Sequence, residues 1–159
     1  MKITVLCVGK LKESYLREAI AEYQKRLGAY AKTEIIEIPD EKCPERISQA
    51  EKQKIIQTEG AGLVALLPAD AFVIALDICG KNISSEEFAE LFAAKMLSGK
   101  SHFVFIIGGS LGLSEQVLQR ADFRLSFGKM TYPHQLMRLI LTEQIYRAFK
   151  INAHEPYHK

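Results

Sequence analysis

The sequence predicts an α/β fold in which a mainly parallel sheet carries helices on both faces. Three stretches, Ile3–Val8, Phe72–Leu76 and Phe103–Ile107, are apolar almost throughout, the pattern of strands buried on both faces. Amphipathic or capped helical stretches lie between them, so strand and helix alternate along the chain. No linker, internal repeat or low-complexity tract interrupts the 159 residues, and that length predicts one domain over 1–159.

Each element has its own signal. Ile3–Val8 opens the sheet, and Ser14 to Leu27 follows as a helix with Leu16, Ala19, Ile20, Tyr23 and Leu27 on one face. Glu34–Ile38 is a second strand, closed by Pro39, and an acidic loop, Pro39–Glu45, leads to a polar helix from about Arg46 to Glu59. Gly60 and Gly62 are expected to break that helix, with a short helical piece running on to Leu67 and a turn at Pro68-Ala69-Asp70. After the strand Phe72–Leu76, Ser84 and Glu87 have the spacing of a capping box and open a helix that ends near Ser98-Gly99. The strand Phe103–Ile107 is followed by a glycine loop, a short helix capped by Ser114 and a short strand, Phe123–Ser126. Pro133 suits the first position of a long last helix reaching about Phe149.

Composition narrows the function classes. No apolar run approaches the ~20 residues that span a bilayer, and Ile3–Val8 reads as a strand, not a signal peptide, so a cytoplasmic protein without membrane contact is expected. Cys7, Cys43 and Cys79 form no paired motif, which argues against a disulfide framework or a zinc cage and fits a reducing compartment. His154 and His158 are four apart, but Pro156 lies between them, so no helix aligns them and no metal is expected. The net charge is +2, yet residues 120–159 carry seven Lys or Arg against three Asp or Glu. That quarter is the expected anion-facing end, although a solvated basic face gives the same count.

Ligands of open parallel sheets bind beyond the carboxyl ends of the strands. Three successive strands here run into unusual loops: Leu76-Asp77-Ile78-Cys79-Gly80, Gly108-Gly109-Ser110-Leu111-Gly112, and Phe127-Gly128-Lys129-Met130-Thr131-Tyr132. Together they can wrap a nucleoside with main-chain N–H and C=O groups; alternatively their glycines only shape turns. Familiar phosphate motifs do not match. Gly9-Lys10-Leu11-Lys12 is not GxGxxG, and Gly128-Lys129 lacks both the earlier glycine of a P-loop and its Ser/Thr. The last helix is apolar all round, with Leu136, Met137, Leu139, Ile140, Leu141, Ile145, Tyr146 and Phe149. A second copy in a twofold homodimer would cover the surplus face, as would a neighbouring helix of the same chain. The tail Asn152–Lys159 reads either as a loose end or as an RNA contact, with Tyr157 stacking on a base and Lys159 meeting phosphate.

The motifs Ala75-Leu76-Asp77, Gly80-Lys81, Ser84-Ser85-Glu86, Ile107–Gly112, Leu125-Ser126-Phe127, Met130-Thr131-Tyr132-Pro133-His134 and Glu155-Pro156-Tyr157-His158 resemble one family over essentially the whole chain. It is the bacterial ribosomal RNA large-subunit methyltransferase H family, of the SPOUT class. The resemblance implies a C-terminal trefoil knot, which the rarity of knots would otherwise exclude. It implies a homodimer that binds S-adenosylmethionine and methylates N3 of a pseudouridine in 23S ribosomal RNA within assembled ribosomes. It also implies cofactor contacts at Leu76, Gly108 and Phe127 through Tyr132.

An imide N–H must lose its proton before nitrogen can accept a methyl group, so a base is expected. His134, in the first turn of the last helix, is the first candidate, because the positive helix end favours neutral imidazole; a backbone-bonded structural histidine is the alternative. His158 is the second candidate, acting across the dimer with Tyr157. Arg138 is expected to hold phosphate or the cofactor carboxylate, or else to pair with Glu143 or another acid. Two other classes compete with this reading: a non-enzymatic ribosome-binding factor, and an α/β nucleotide hydrolase, which the missing P-loop disfavours. The small net charge predicts dependence on a large structured target rather than tight binding to naked RNA.

Overall fold

The structure is a computed structural model and describes residues 1–158. The contact expected of Lys159 lies outside the described residues. Ten elements follow in order: β1 (Lys2–Val8), α1 (Ser14–Leu27), β2 (Lys32–Ile38), α2 (Gln49–Ala65), β3 (Phe72–Asn82), α3 (Ser85–Leu97), β4 (His102–Ile107), α4 (Glu115–Arg120), β5 (Phe123–Ser126) and α5 (His134–Asn152). The strands form one sheet in the order β2-β1-β4-β3-β5, and every pairing is parallel. The apolar runs that predicted strands become β1, β3 and β4, the three inner strands, where residues such as Leu6, Val73 and Phe105 are fully buried.

Alternating side chains send one core to each face. On one face Ile3, Val5, Phe103 and Phe105 pack beneath α1, α3 and α5, with Phe92 stacked on Phe103 at 4.6 Å between ring centres. On the other, Leu6, Val8, Val104 and Ile106 meet Leu63 of α2 and Val117 of α4. Both capping boxes form: Ser84 accepts the Glu87 N–H, and Ser48 accepts that of Glu51, a pairing not anticipated from sequence. That second cap starts α2 at Gln49 rather than Arg46.

The structure corrects four expectations. Helix α2 runs unbroken through Gly60 and Gly62. Gly60 is a packing site, since a Cβ there would overlap the Ser114 side chain at the start of α4. The third strand extends to Asn82 instead of stopping at Leu76. Leu125 of β5 faces Leu76 and then again Lys81, so residues 77–80 bulge off the ladder before pairing resumes. Pro133 caps α5 from just outside rather than occupying its first turn, with an extended ψ of 130°. The described tail is docked, not loose. Tyr157 packs edge-on against Tyr146 at 4.9 Å and gives its hydroxyl proton to Glu143 at 3.0 Å. Glu155 accepts from Tyr30 at 2.7 Å and pairs with Lys150. Among the described residues no helix is long and apolar enough to cross a membrane.

Candidate functional site

The bulge within β3 and the carboxyl ends of β4 and β5 open into one cleft of about 400 Å³. Its walls are the bulge at Asp77 and Ile78, the loop Gly108–Leu113, and the β5–α5 loop from Phe127 to Tyr132; His134 and Met137 of α5 close one side. The structure thus brings Leu76, Gly108, Phe127, Gly128, Met130, Thr131 and Tyr132 into a common lining. Lys129 belongs to the same loop but is exposed and outside that lining.

Backbone proximity shapes the cleft. A Cβ on Gly108 would lie 2.8 Å from the Gly112 carbonyl oxygen, so the loop can fold back on itself only at glycine. Gly128 has φ +107°, which any side chain would strain. The bulge is tied down by Asp77: one carboxylate oxygen accepts the Cys79 N–H at 3.1 Å, and the other pairs with Arg124 of β5. Ser126 accepts the Gly128 N–H at 3.1 Å, and its own hydroxyl lies 3.1 Å from the Ile78 carbonyl. Leu76, Ile107 and Leu118 add apolar surface. Main-chain groups, apolar walls and the edge carboxylate of Asp77 suit an adenosine-bearing molecule better than a polyphosphate.

His134 is half-buried at the start of α5. Burial, helped by the positive Arg138 and Lys12 and opposed by Asp40, holds its imidazole below the usual histidine range. Among the described residues its ring makes no hydrogen bond, in contrast to a backbone-anchored structural histidine. A Cβ on Gly9, where φ is +82°, would lie 3.5 Å from its Nε2, so β1 presents bare backbone to the ring.

Of the two readings of Arg138, the structure shows the ion pair with another acid rather than a contact to phosphate or cofactor carboxylate. Arg138 is fully buried, pairs with Glu37 of β2 at 2.6 Å, and donates to the carbonyls of Val8 at 3.0 Å and Gly9 at 2.7 Å. It therefore faces neither solvent nor RNA, and its acid is Glu37, not Glu143; Glu143 pairs instead with Arg147. Tyr157 and His158 are not part of the cleft. The His158 ring sits 2.8 Å from Glu86 and 3.3 Å from Arg147. Within one chain the tail thus lies against α5 roughly three turns beyond His134.

Sequence reading overlooked Glu59. Its side chain is buried beneath the β4 loop, where one oxygen accepts the Glu41 N–H at 3.0 Å and the other has no partner among the described residues. Burial, with Asp40 and Glu41 nearby, raises its carboxyl above the usual range. The only signal in the sequence was a lone acid ahead of Gly60, indistinguishable from the solvated acids of the same helix.

Residues 1–158 match the family described as "Predicted SPOUT methyltransferase". Relatives described as "Ribosomal RNA large subunit methyltransferase H" are 62% identical in Carboxydothermus hydrogenoformans, 58% in Clostridium novyi and 59% in a serotype 4a strain of Listeria monocytogenes, each over all of both chains. The fold resembles that of a probable methylase family protein from Haemophilus influenzae, with a TM-score of 0.54 and 14% identity over 99% of this chain and 70% of that one. It also resembles the A. aeolicus TrmH/SpoU tRNA modifying enzyme, with a TM-score of 0.52 and 13% identity over 99% and 81%. A putative methyltransferase from Legionella pneumophila, in complex with the cofactor SAM, gives 0.50 and 13% over 94% and 66%.

Proposed function

The chain belongs to the SPOUT methyltransferase family, and from that premise we propose that it is an enzyme that methylates large-subunit ribosomal RNA using S-adenosylmethionine, at N3 of a pseudouridine. The observation that carries this reading is the meeting of the β3 bulge and two strand-end loops in one glycine-walled cleft beside an unpaired, neutral histidine. Full-length relatives at 58–62% identity bear the ribosomal RNA methyltransferase name, which supports the substrate class.

Leu76, Gly108 and the loop from Phe127 to Tyr132 would hold the cofactor, chiefly through main chain, with Lys129 at the outer rim. When bound, S-adenosylmethionine supplies a methyl group already activated by its sulfonium. The chain's own work is positional and electrostatic. Gly108 and Gly128 let backbone approach the ligand, and the cleft walls exclude water. His134, kept neutral by burial and Arg138, accepts the imide proton at a ring nitrogen, leaving the base nitrogen nucleophilic.

The finer assembly belongs to the same proposal. The C-terminal segment threads as a knot, a reading that rests on the family; α5 leaves the β5 edge and places Arg138 on the end of β1. Leu136 of α5 is exposed and Ile140 half-buried, as are Met130 and Tyr132 exposed at the cleft mouth; a second copy of the chain covers this surface as a homodimer. In that dimer Tyr157 and His158, distant from His134 in their own chain, serve the partner's site. The substrate is 23S ribosomal RNA in the assembled ribosome, hence in the cytoplasm, and no metal takes part. The deciding experiment treats ribosomes from cells lacking this gene with purified protein and labelled S-adenosylmethionine, then maps the labelled nucleoside by mass spectrometry. A methyl group on a large-subunit uridine or pseudouridine is expected; none, together with no change in melting temperature on adding the cofactor, overturns the reading.

A further inference from the structure

The turn after β1, residues 9–13, is held by hydrogen bonds to β2, α1 and α5. Its Leu11 N–H donates to Glu37 at 2.7 Å and its Lys12 N–H to Gln135 of α5 at 2.9 Å. Arg17 of α1 closes it from outside, donating to the carbonyls of Leu11 at 3.1 Å and Lys12 at 2.6 Å. These bonds tie down the loop backbone, yet leave the side chains of Lys10 and Lys12 exposed. Among the described residues neither lysine forms an ion pair. One helical step on, Tyr15 in the first turn of α1 is 65% exposed, with no hydrogen bond among the described residues.

This platform stands beside the candidate base. The bond from Lys12 to Gln135 ties it to the residue following His134, and the charge of Lys12 is felt by the His134 ring. Two unpaired ammonium groups and one bare aromatic ring, held on fixed backbone, are what RNA recognition needs: cations for phosphates and a flat face for an unstacked base. We infer that Lys10, Lys12 and Tyr15 form an RNA-contact surface flanking the cleft, the lysines meeting backbone phosphates and Tyr15 stacking on a splayed base near the target. A charge census overlooks it, because Glu13 and the acidic loop after β2 cancel the lysines in sequence while their side chains leave them unpaired in space.

The inference rests on the ribosomal RNA reading above, and its test separates the two. Wild type, the Lys10→Ala/Lys12→Ala double variant, Tyr15→Ala and Tyr15→Phe are compared by co-sedimentation with purified ribosomes across a salt series, alongside methyl transfer, calorimetric S-adenosylmethionine binding and mass in solution. The double variant is expected to bind ribosomes on the order of tenfold more weakly, with a log-affinity against log-salt slope shallower by about 2. Tyr15→Ala is expected to lose roughly five- to a hundredfold, and Tyr15→Phe to recover most of it, because stacking needs only the ring. Cofactor binding should stay at the wild-type value. Unchanged ribosome affinity and salt slope in the double variant overturn the inference, as does a Tyr15→Phe loss equal to that of Tyr15→Ala. A change in molecular mass also overturns it, since the surface would then bind another copy. If wild type sediments with ribosomes but transfers no methyl group, the catalytic reading fails while the surface is still judged by sedimentation. If wild type does not sediment at all, the surface has no such partner and the inference falls.

Discussion

Arg138 of α5 and Glu37 of β2, 101 positions apart, meet at 2.6 Å, with the arginine fully buried and the glutamate partly exposed. A buried guanidinium deprived of its partners is costly, because water cannot replace them. Arg138→Ala is expected to lose about 3–5 kcal/mol of stability, since it also orphans the Val8 and Gly9 carbonyls. Glu37→Gln, which keeps an acceptor but strips the buried guanidinium of its counter-charge, is expected to lose about 2–3 kcal/mol, less than Arg138→Ala because the two carbonyl bonds survive. Urea unfolding of both variants checks the order; equal losses would show that the carbonyls contribute little.

His134→Ala is expected to slow methyl transfer by about 10²–10⁴-fold, with a much smaller change in cofactor affinity. Because burial and Arg138 lower its pKa, the neutral ring persists below the ordinary value of 6.5. The rate should therefore hold through neutrality and fall only on acidification beyond that point. Stability follows the same sign: below 6.5 the unfolded chain takes up the proton first, so the folded state weakens as pH drops. A rate profile whose acid limb lies above pH 6.5 would exclude His134 as the base.

Glu59 predicts the opposite slope. Its folded pKa is raised above the ordinary 4.5 by burial, so the native state binds its proton more tightly than the unfolded chain. Its contribution is fully present below pH 4.5 and lost as pH rises through the folded value. Glu59→Gln removes the charge while keeping the shape. It is expected to match wild type in acid and to exceed it by about 1–2 kcal/mol near pH 8, measured by urea denaturation at both values.

Gly108→Ala places a methyl group 2.8 Å from the Gly112 carbonyl. Overpacking against backbone costs about 1–3 kcal/mol and shifts the loop. Calorimetry with S-adenosylmethionine is expected to show at least about tenfold weaker binding, since displacement by even an ångström spoils main-chain contacts. Gly99→Ala, with open space around it, is the control: it should lower stability through its φ of +88° and leave cofactor affinity intact.

The sheet was legible because inner parallel strands must be apolar on both faces, and Phe72–Leu76 and Phe103–Ile107 are. The three loops were legible as a group because parallel strands deliver their ends to one side. Illegible features all depended on distant partners. Nothing near Gly60 in sequence announces Ser114, nothing near Arg138 announces Glu37, and the continuation of β3 past Asp77 depends on Arg124. Docking of the tail required Glu86, Glu143 and Tyr30 to converge from three helices' surroundings. Lys10, Lys12 and Tyr15 carry no signal in the sequence, because their residue types are common in any exposed loop.

The doubled pairing of Leu125 with Leu76 and Lys81 has a consequence for how this architecture can change. Residues 77–80 carry no ladder duty toward β5, so length changes that keep the Asp77–Arg124 pair and the close approach of Gly80 to Arg124 leave the alignment of every later strand intact. The same four positions border the ligand cleft at Asp77 and Ile78. Length variation, usually ruinous inside a sheet, is here confined to a spot where it remodels the pocket rim alone, which makes the bulge a natural point for retuning ligand preference without re-engineering the scaffold.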